Sequence, residues 1–195
     1  NDLEMANYTP SLEVKNDWVK EQLDSCTFKI PEKFVVFSPG AIFGPSKQWP
    51  VEHYRELGKQ IHKSFGFTIM LLGTNDDIDT GTKIAHDHDW IQNCCGKTTL
   101  AQLLAILTKT HLLVGNDSGS MHMMAALQRP QVAVFGSTSP TWTGPINTFA
   151  TVMSLDLSCS PCFSKTCRFG HYDCLTQINP ENVFAEVKKH LSQTY

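Results

Sequence analysis

Long hydrophobic runs are missing from this 195-residue chain: nothing approaches the roughly 18 consecutive apolar residues that mark a membrane-spanning helix. Charge is scarce at 18%, the formal net charge is −3, and Lys and Arg form no long cluster. The surface therefore carries no general electrostatic footprint for nucleic acid. Residues 1–20 lack the basic start and apolar stretch of a secretory signal. The 7 cysteines are an odd count, and Cys94 and Cys95 are adjacent, which fits an exported disulfide framework poorly. These absences predict a cytoplasmic protein with mostly free thiols, no transmembrane segment and no nucleic-acid partner. A specific anionic ligand stays open. What the chain does have is a 41% hydrophobic content, enough to bury the core of one domain.

Residues 1–31 are polar, with a weak helical pattern around Val14, Trp18, Val19 and Leu23, and read as a connector. The regular domain is expected over residues 32–195. Phe34 to Phe37 is a short apolar run closed by Ser38-Pro39-Gly40, the pattern of a strand buried on both faces. Pro50 then suits the first helical position, and Tyr54, Leu57, Ile61 and Phe65 share one helix face up to Gly66. Residues 67–72, 89–93, 111–115 and 131–135 read as further strands. Helices are expected through Ile84, over Leu100, Leu103, Leu104 and Leu107, over 120–127, and from Asn179-Pro180 to the C-terminal region, where Val183, Phe184, Val187 and Leu191 share a face. Strands alternating with helices predict a Rossmann-like α/β fold with a doubly wound parallel sheet. In such sheets ligands bind beyond the carboxyl ends of the strands, where loops 38–49, 73–77 and 115–119 are rich in Gly, Ser, Thr, Asn, Asp or Lys.

The loop Asn116-Asp117-Ser118-Gly119 opens directly onto a helix. A helix start has unpartnered backbone N–H groups and roughly half a positive charge, so a phosphate there finds donors and field together. The plainer reading is that Asp117 or Ser118 only caps the helix. Gly96-Lys97-Thr98 has the tail of a phosphate-binding P-loop, but Ile91 occupies the place of its first glycine. A serine hydrolase using Ser118 does not fit either, because the serine is displaced by one position from G-x-S-x-G.

Residues 38–50, SPGAIFGPSKQWP, followed by His53-Tyr54, and then residues 115–122, GNDSGSMH, with Ala125-Ala126 and Arg129-Pro130, carry a resemblance. They are similar to the C-terminal half of the ADP-heptose:lipopolysaccharide heptosyltransferases of glycosyltransferase family nine, and most of all to its second heptosyltransferases. The similarity runs from about residue 30 to residue 190. The resemblance implies one half of a GT-B enzyme of two facing Rossmann-like domains, with residues 1–31 leading from a missing N-terminal domain. The implied activity is transfer of heptose from ADP-heptose to the lipopolysaccharide inner core, with no cofactor or metal required. The acceptor and the general base would belong to the other half. The full-length enzyme would be peripheral at the inner face of the inner membrane.

The resemblance also implies roles for individual residues. Lys47 would be catalytic, stabilising the departing diphosphate, and would bind donor together with Asp117, Ser118, Gly119 and His122. Asn75, beside Thr74 and Asp76, would meet the ribose, and Lys97 and Thr98 the adenine. Ile42 departs from the polar or acidic residue that relatives often have there. Each assignment has a rival: a solvated surface charge for Lys47, a packed histidine for His122 among Met121, Met123 and Met124, and ordinary turn residues at 74–76.

Cys159, Cys162, Cys167 and Cys174 form a C-x2-C-x4-C-x6-C pattern. It is compatible with a structural zinc site, with one or two disulfides, or with free thiols. The alternative to a transferase half is a noncatalytic nucleotide-binding or zinc-bearing interaction module.

Overall fold

The computed structural model describes residues 9–192. Its centre is one all-parallel sheet of β1 (Phe34–Ser38), β2 (Thr68–Leu71), β3 (Ile91–Asn93), β4 (Leu113–Asn116), β5 (Gln131–Val134) and β6 (Ala150–Met153), in the order β3-β2-β1-β4-β5-β6. Helices α1 (Asn16–Asp24), α2 (Val51–Phe65), α3 (Ile78–Ala85), α4 (Leu100–Lys109), α5 (Gly119–Ala126), α6 (Pro140–Thr143), α7 (Asp173–Thr176) and α8 (Pro180–Ser192) complete the chain.

Alternation along a strand sends successive side chains to opposite faces, and β1 shows the result. Val35 and Phe37 pack with Leu57 and Ile61 of α2 and Val183 and Val187 of α8. Phe34 and Val36 pack on the other face with Ile106 and Leu107 of α4 and Met124 of α5. All five residues of β1 are buried, as a strand covered on both faces requires. The apolar stripe of α2 faces this core, and the helix ends at Gly66, whose φ of 71° lies in the left-handed region that favours glycine.

Two features lie outside the expected outline. Part of the stretch read as a connector is helical: α1 packs against α4, Val19 is buried, and the Leu12 N–H donates to the Ala126 carbonyl at 2.7 Å. The sixth strand, β6, gives no apolar run because it is an edge strand whose four residues are all only half-buried.

The strand order reverses direction between β1 and β4. Chain connections leave toward opposite faces at that point, so the loops after β1 and β4 diverge and a crevice opens between them.

Candidate functional site

A cavity of about 450 Å³ occupies this crevice. Its walls come from the loop after β1 (Ser38, Gly40 to Phe43), the end of β2 (Leu72 to Thr74, Asp77), the start of α4 (Thr98 to Leu100, Leu103) and the β4–α5 junction (Asp117 to Ser120, Met123). The three anticipated loops therefore meet, and the α4 start joins them as a fourth. Leu72, Leu103 and Met123 supply an apolar surface, and Ile42 and Leu100 extend it into solvent at 94% and 73% exposure. A flat, weakly polar ring suits such a surface; a bare phosphate does not.

The polar end is built around α5. Ser118 is its N-cap in an extended conformation, but its side chain makes no capping hydrogen bond. The Ser118 hydroxyl pairs instead with that of Ser120 at 2.9 Å, and the Ser120 hydroxyl donates to that of Ser38 at 2.7 Å. The start of α5 thus has no side-chain cap, and its residues Ser118 to Ser120 line the cavity with the field of the helix behind them. A Cβ added at Gly119 would meet nothing within 4 Å, so a ligand has room to approach the backbone.

Asp117 is 6% exposed. Its Oδ2 accepts from Lys47 Nζ at 2.5 Å, Thr138 Oγ1 at 2.7 Å and Thr143 Oγ1 at 3.0 Å. The lysine ammonium also lies 4.8 Å from the centre of the Phe43 ring, within cation–π range. Asn116 sets this geometry from below: its Oδ1 accepts from the Trp49 N–H and the Tyr54 hydroxyl, each at 3.1 Å, and its Nδ2 donates to the Pro39 carbonyl at 2.7 Å. One fully buried amide thereby ties both ends of loop 39–49 to β4. Trp49 anchors the same loop through its indole N–H, which donates to the Ile178 carbonyl at 2.9 Å.

The structure brings together Lys47, Asp117, Ser118, Gly119 and Thr98, although Lys47 reaches the cavity through Asp117 and contributes no wall of its own. Three other residues stand apart from the wall. Asn75 is exposed in a 3₁₀ turn. Lys97 folds back so that Nζ donates to the Asn93 carbonyl at 2.9 Å. His122 is exposed on α5, whereas Ser120 and Met123 line the cavity.

Asp77 is the residue that sequence reasoning passed over. It is buried on the wall, its Oδ2 accepting from the Thr74 N–H at 2.7 Å and the Thr74 hydroxyl at 2.9 Å. The signal was there: Thr74 and Asp77 have the spacing of a capping box, which turns the fourth residue back toward the first. Gly40 and Gly73 make room for the carboxylate, since a Cβ at Gly40 would sit within 2.4 Å of it and one at Gly73 within 2.7 Å.

Cys159, Cys162, Cys167 and Cys174, for which zinc, disulfides and free thiols were the alternatives, all border one small separate cavity and are free thiols. Among the described residues, no three His, Cys, Asp or Glu side chains are grouped so that they could hold a metal ion, so the structural-zinc alternative for this loop is not supported.

Comparison with known proteins adds an independent line. The family model for Glycosyltransferase family 9 (heptosyltransferase) matches residues 1–173. Lipopolysaccharide heptosyltransferase 2 of Salmonella typhimurium is 32% identical over 197 residues, covering 98% of this chain and 56% of that protein. The structure of E. coli ADP-heptose lps heptosyltransferase II has a TM-score of 0.81 at 33% identity, over 95% of this chain and 54% of that one. The glycosyl transferase family 9 structure from Veillonella parvula shares the fold, with a TM-score of 0.76 at 24% identity over 94% of this chain and 54% of that one. The chain spans about half the length of the relatives it matches.

Proposed function

This chain belongs to glycosyltransferase family 9, and from that premise we propose that it is the donor-binding half of a GT-B heptosyltransferase that moves heptose from ADP-heptose to the lipopolysaccharide inner core. The observation that carries this reading is the union, in one crevice, of a helix start without a side-chain cap, an apolar wall and a buried carboxylate. In this assignment the diphosphate lies at Ser118 and Gly119, the adenine lies against Leu103 and Met123, and Asp77 accepts from ribose hydroxyls. Residues 32–195 form the nucleotide-sugar-binding unit, with residues 1–31 leading from the other half.

Sugar transfer leaves positive charge developing at the anomeric carbon and negative charge on the departing diphosphate. The α5 amides are preorganised to meet the negative charge and need no reorientation during reaction. Lys47 adds a mobile cation, which Asp117 keeps beside the helix start until the diphosphate competes for it. Asp117 acts on the donor through Lys47, the cation that it holds between its own carboxylate and the diphosphate. The base that accepts the acceptor hydroxyl's proton lies on the other half, as does the acceptor site. Among the described residues no helix is long and apolar enough to cross a membrane. We place the working enzyme in the cytoplasm, peripheral at the inner face of the inner membrane.

Calorimetry with ADP, against UDP, GDP and CMP, tests the assignment on this chain and on Lys47→Ala and Asp77→Asn, with folding checked by circular dichroism. Selective ADP binding, weakened in both variants, is expected. Equal binding of all four nucleotides, or ADP binding indifferent to both substitutions, would defeat it.

A further inference from the structure

Asp117 gathers three donors on one oxygen, Oδ2, and two of them are the hydroxyls of Thr138 and Thr143. Asp117 lines the donor cavity and the two threonines do not, so any effect they have on the donor passes through the carboxylate. Thr138 is buried, and among the described residues its hydroxyl has no hydrogen-bond partner besides Asp117. It follows Ser137, whose N–H donates to the Ser46 carbonyl at 3.2 Å and whose hydroxyl shares a 2.9 Å hydrogen bond with that of Ser46. Ser46 immediately precedes Lys47. One pair of serines thus stations both the lysine and the threonine that share the carboxylate.

Thr143 is held differently, because it has two acceptors. Its hydroxyl lies 3.0 Å from Asp117 Oδ2 and 3.3 Å from the Ser139 carbonyl, and a hydroxyl has one proton to donate. The Ser139 carbonyl already accepts from the Trp142 and Thr143 N–H groups, each at 3.0 Å. It has no need of the side chain, so the Thr143 proton turns to Asp117 at little loss.

A buried carboxylate that loses its cation is costly unless other donors stay on it. We propose that Thr138 and Thr143 are positioning residues that let Lys47 go: as the ammonium moves toward the diphosphate, the two hydroxyls carry the Asp117 carboxylate. Thr138 does so through its standing hydrogen bond, and Thr143 by turning its proton away from Ser139. No proton changes its parent atom; only hydrogen-bond partners change. Without the hydroxyls, Asp117 would keep a larger share of the lysine and the diphosphate a smaller one. The inference rests on the donor-site reading above, and adds to it two residues that touch no part of the donor.

Urea denaturation of a double-mutant cycle tests the coupling without nucleotide. Thr143→Val removes the hydroxyl and keeps the shape. The hydroxyl matters more once the cation has gone, so this substitution should lower the folding equilibrium constant about fivefold more in Lys47→Ala than in the parent. Thr143→Ser should abolish that excess, and Thr141→Val, exposed on the same short helix, should show none. Thr138→Val and Thr138→Ser repeat the cycle at the second hydroxyl, and decide alone if the Thr143 double variant does not fold. An additive cycle overturns the proposal. Calorimetry then reads the consequence: ADP should bind about fivefold more weakly to Thr143→Val than to the parent, and within about twofold of the parent to Thr143→Ser. Thr143→Val binding ADP as the parent does overturns the proposal, as does a loss that serine fails to restore. A parent that binds no ADP ends the donor-site reading together with this one, whereas an additive cycle in a parent that binds ADP ends this one alone.

Discussion

Replacing Lys47 with alanine isolates the electrostatics of the site from its catalysis. In the parent, the Lys47 and Asp117 side chains are 12% and 4% exposed and 2.5 Å apart. Removing one partner of a buried pair costs about 3–5 kcal/mol, because the other charge stays buried without compensation. Here the Thr138 and Thr143 hydroxyls remain on the carboxylate, so the lower end, about 3 kcal/mol, is expected. At about 2–4 °C per kcal/mol for a domain of this size, Lys47→Ala should melt roughly 6–12 °C below the parent, with a matching fall in the urea midpoint. The double variant Lys47→Ala/Asp117→Asn keeps an oxygen for the threonines and removes the stranded charge. It should regain about 2 kcal/mol over the single variant. Measuring all four corners of the cycle by urea denaturation gives the coupling directly. A single variant within about 0.5 kcal/mol of the parent, the range of ordinary surface changes, would refute the reasoning. So would a double variant no more stable than the single.

Two glycines should separate stability from binding. Gly40→Ala puts a methyl within 2.4 Å of the Asp77 carboxylate, so stability should drop by about 2 kcal/mol and ADP affinity should fall. Gly119→Ala meets open space, so thermal melting should barely change while calorimetry reports weaker ADP binding. Burial lowers the values of His53, His111 and His190. The unfolded chain therefore takes up protons first as pH falls below about 6.5. Stability should be level above that point, decline as pH falls below about 6.5, and show the decline as a falling urea midpoint; a flat profile would contradict it. Burial also pushes Cys94 up to about 11 and Cys95 up to about 12, while backbone amides lower Cys167. In the reduced, chelated chain, mass spectrometry after brief iodoacetamide treatment near neutral pH should find Cys167 alkylated first and Cys94 and Cys95 intact.

The strands at 34–38, 68–71, 113–116 and 131–134 could be read from local composition, because a strand covered on both faces must be apolar throughout. The α2 and α8 faces were equally legible, since one helix face alone contacts the core. Loop 38–49 and the Asp117–Gly119 turn could also be placed at a ligand crevice, because strand–helix alternation puts such loops at the carboxyl edge of the sheet. Direction within a loop is a different matter. Asn75 and Asp77 lie in the same turn, yet only Asp77 points inward, because the 3₁₀ geometry and the Thr74 hydrogen bonds select it. Lys97 and Lys47 are both loop lysines; one bonds its own loop at Asn93 and the other crosses 70 residues of sequence to Asp117. The edge strand β6 was hidden because half-burial asks little of its side chains. Local sequence determined which segments are strand, helix and loop, because burial and periodicity act over a few residues. Only the tertiary structure decided which loop side chains converge, because that depends on contacts between residues far apart in the chain.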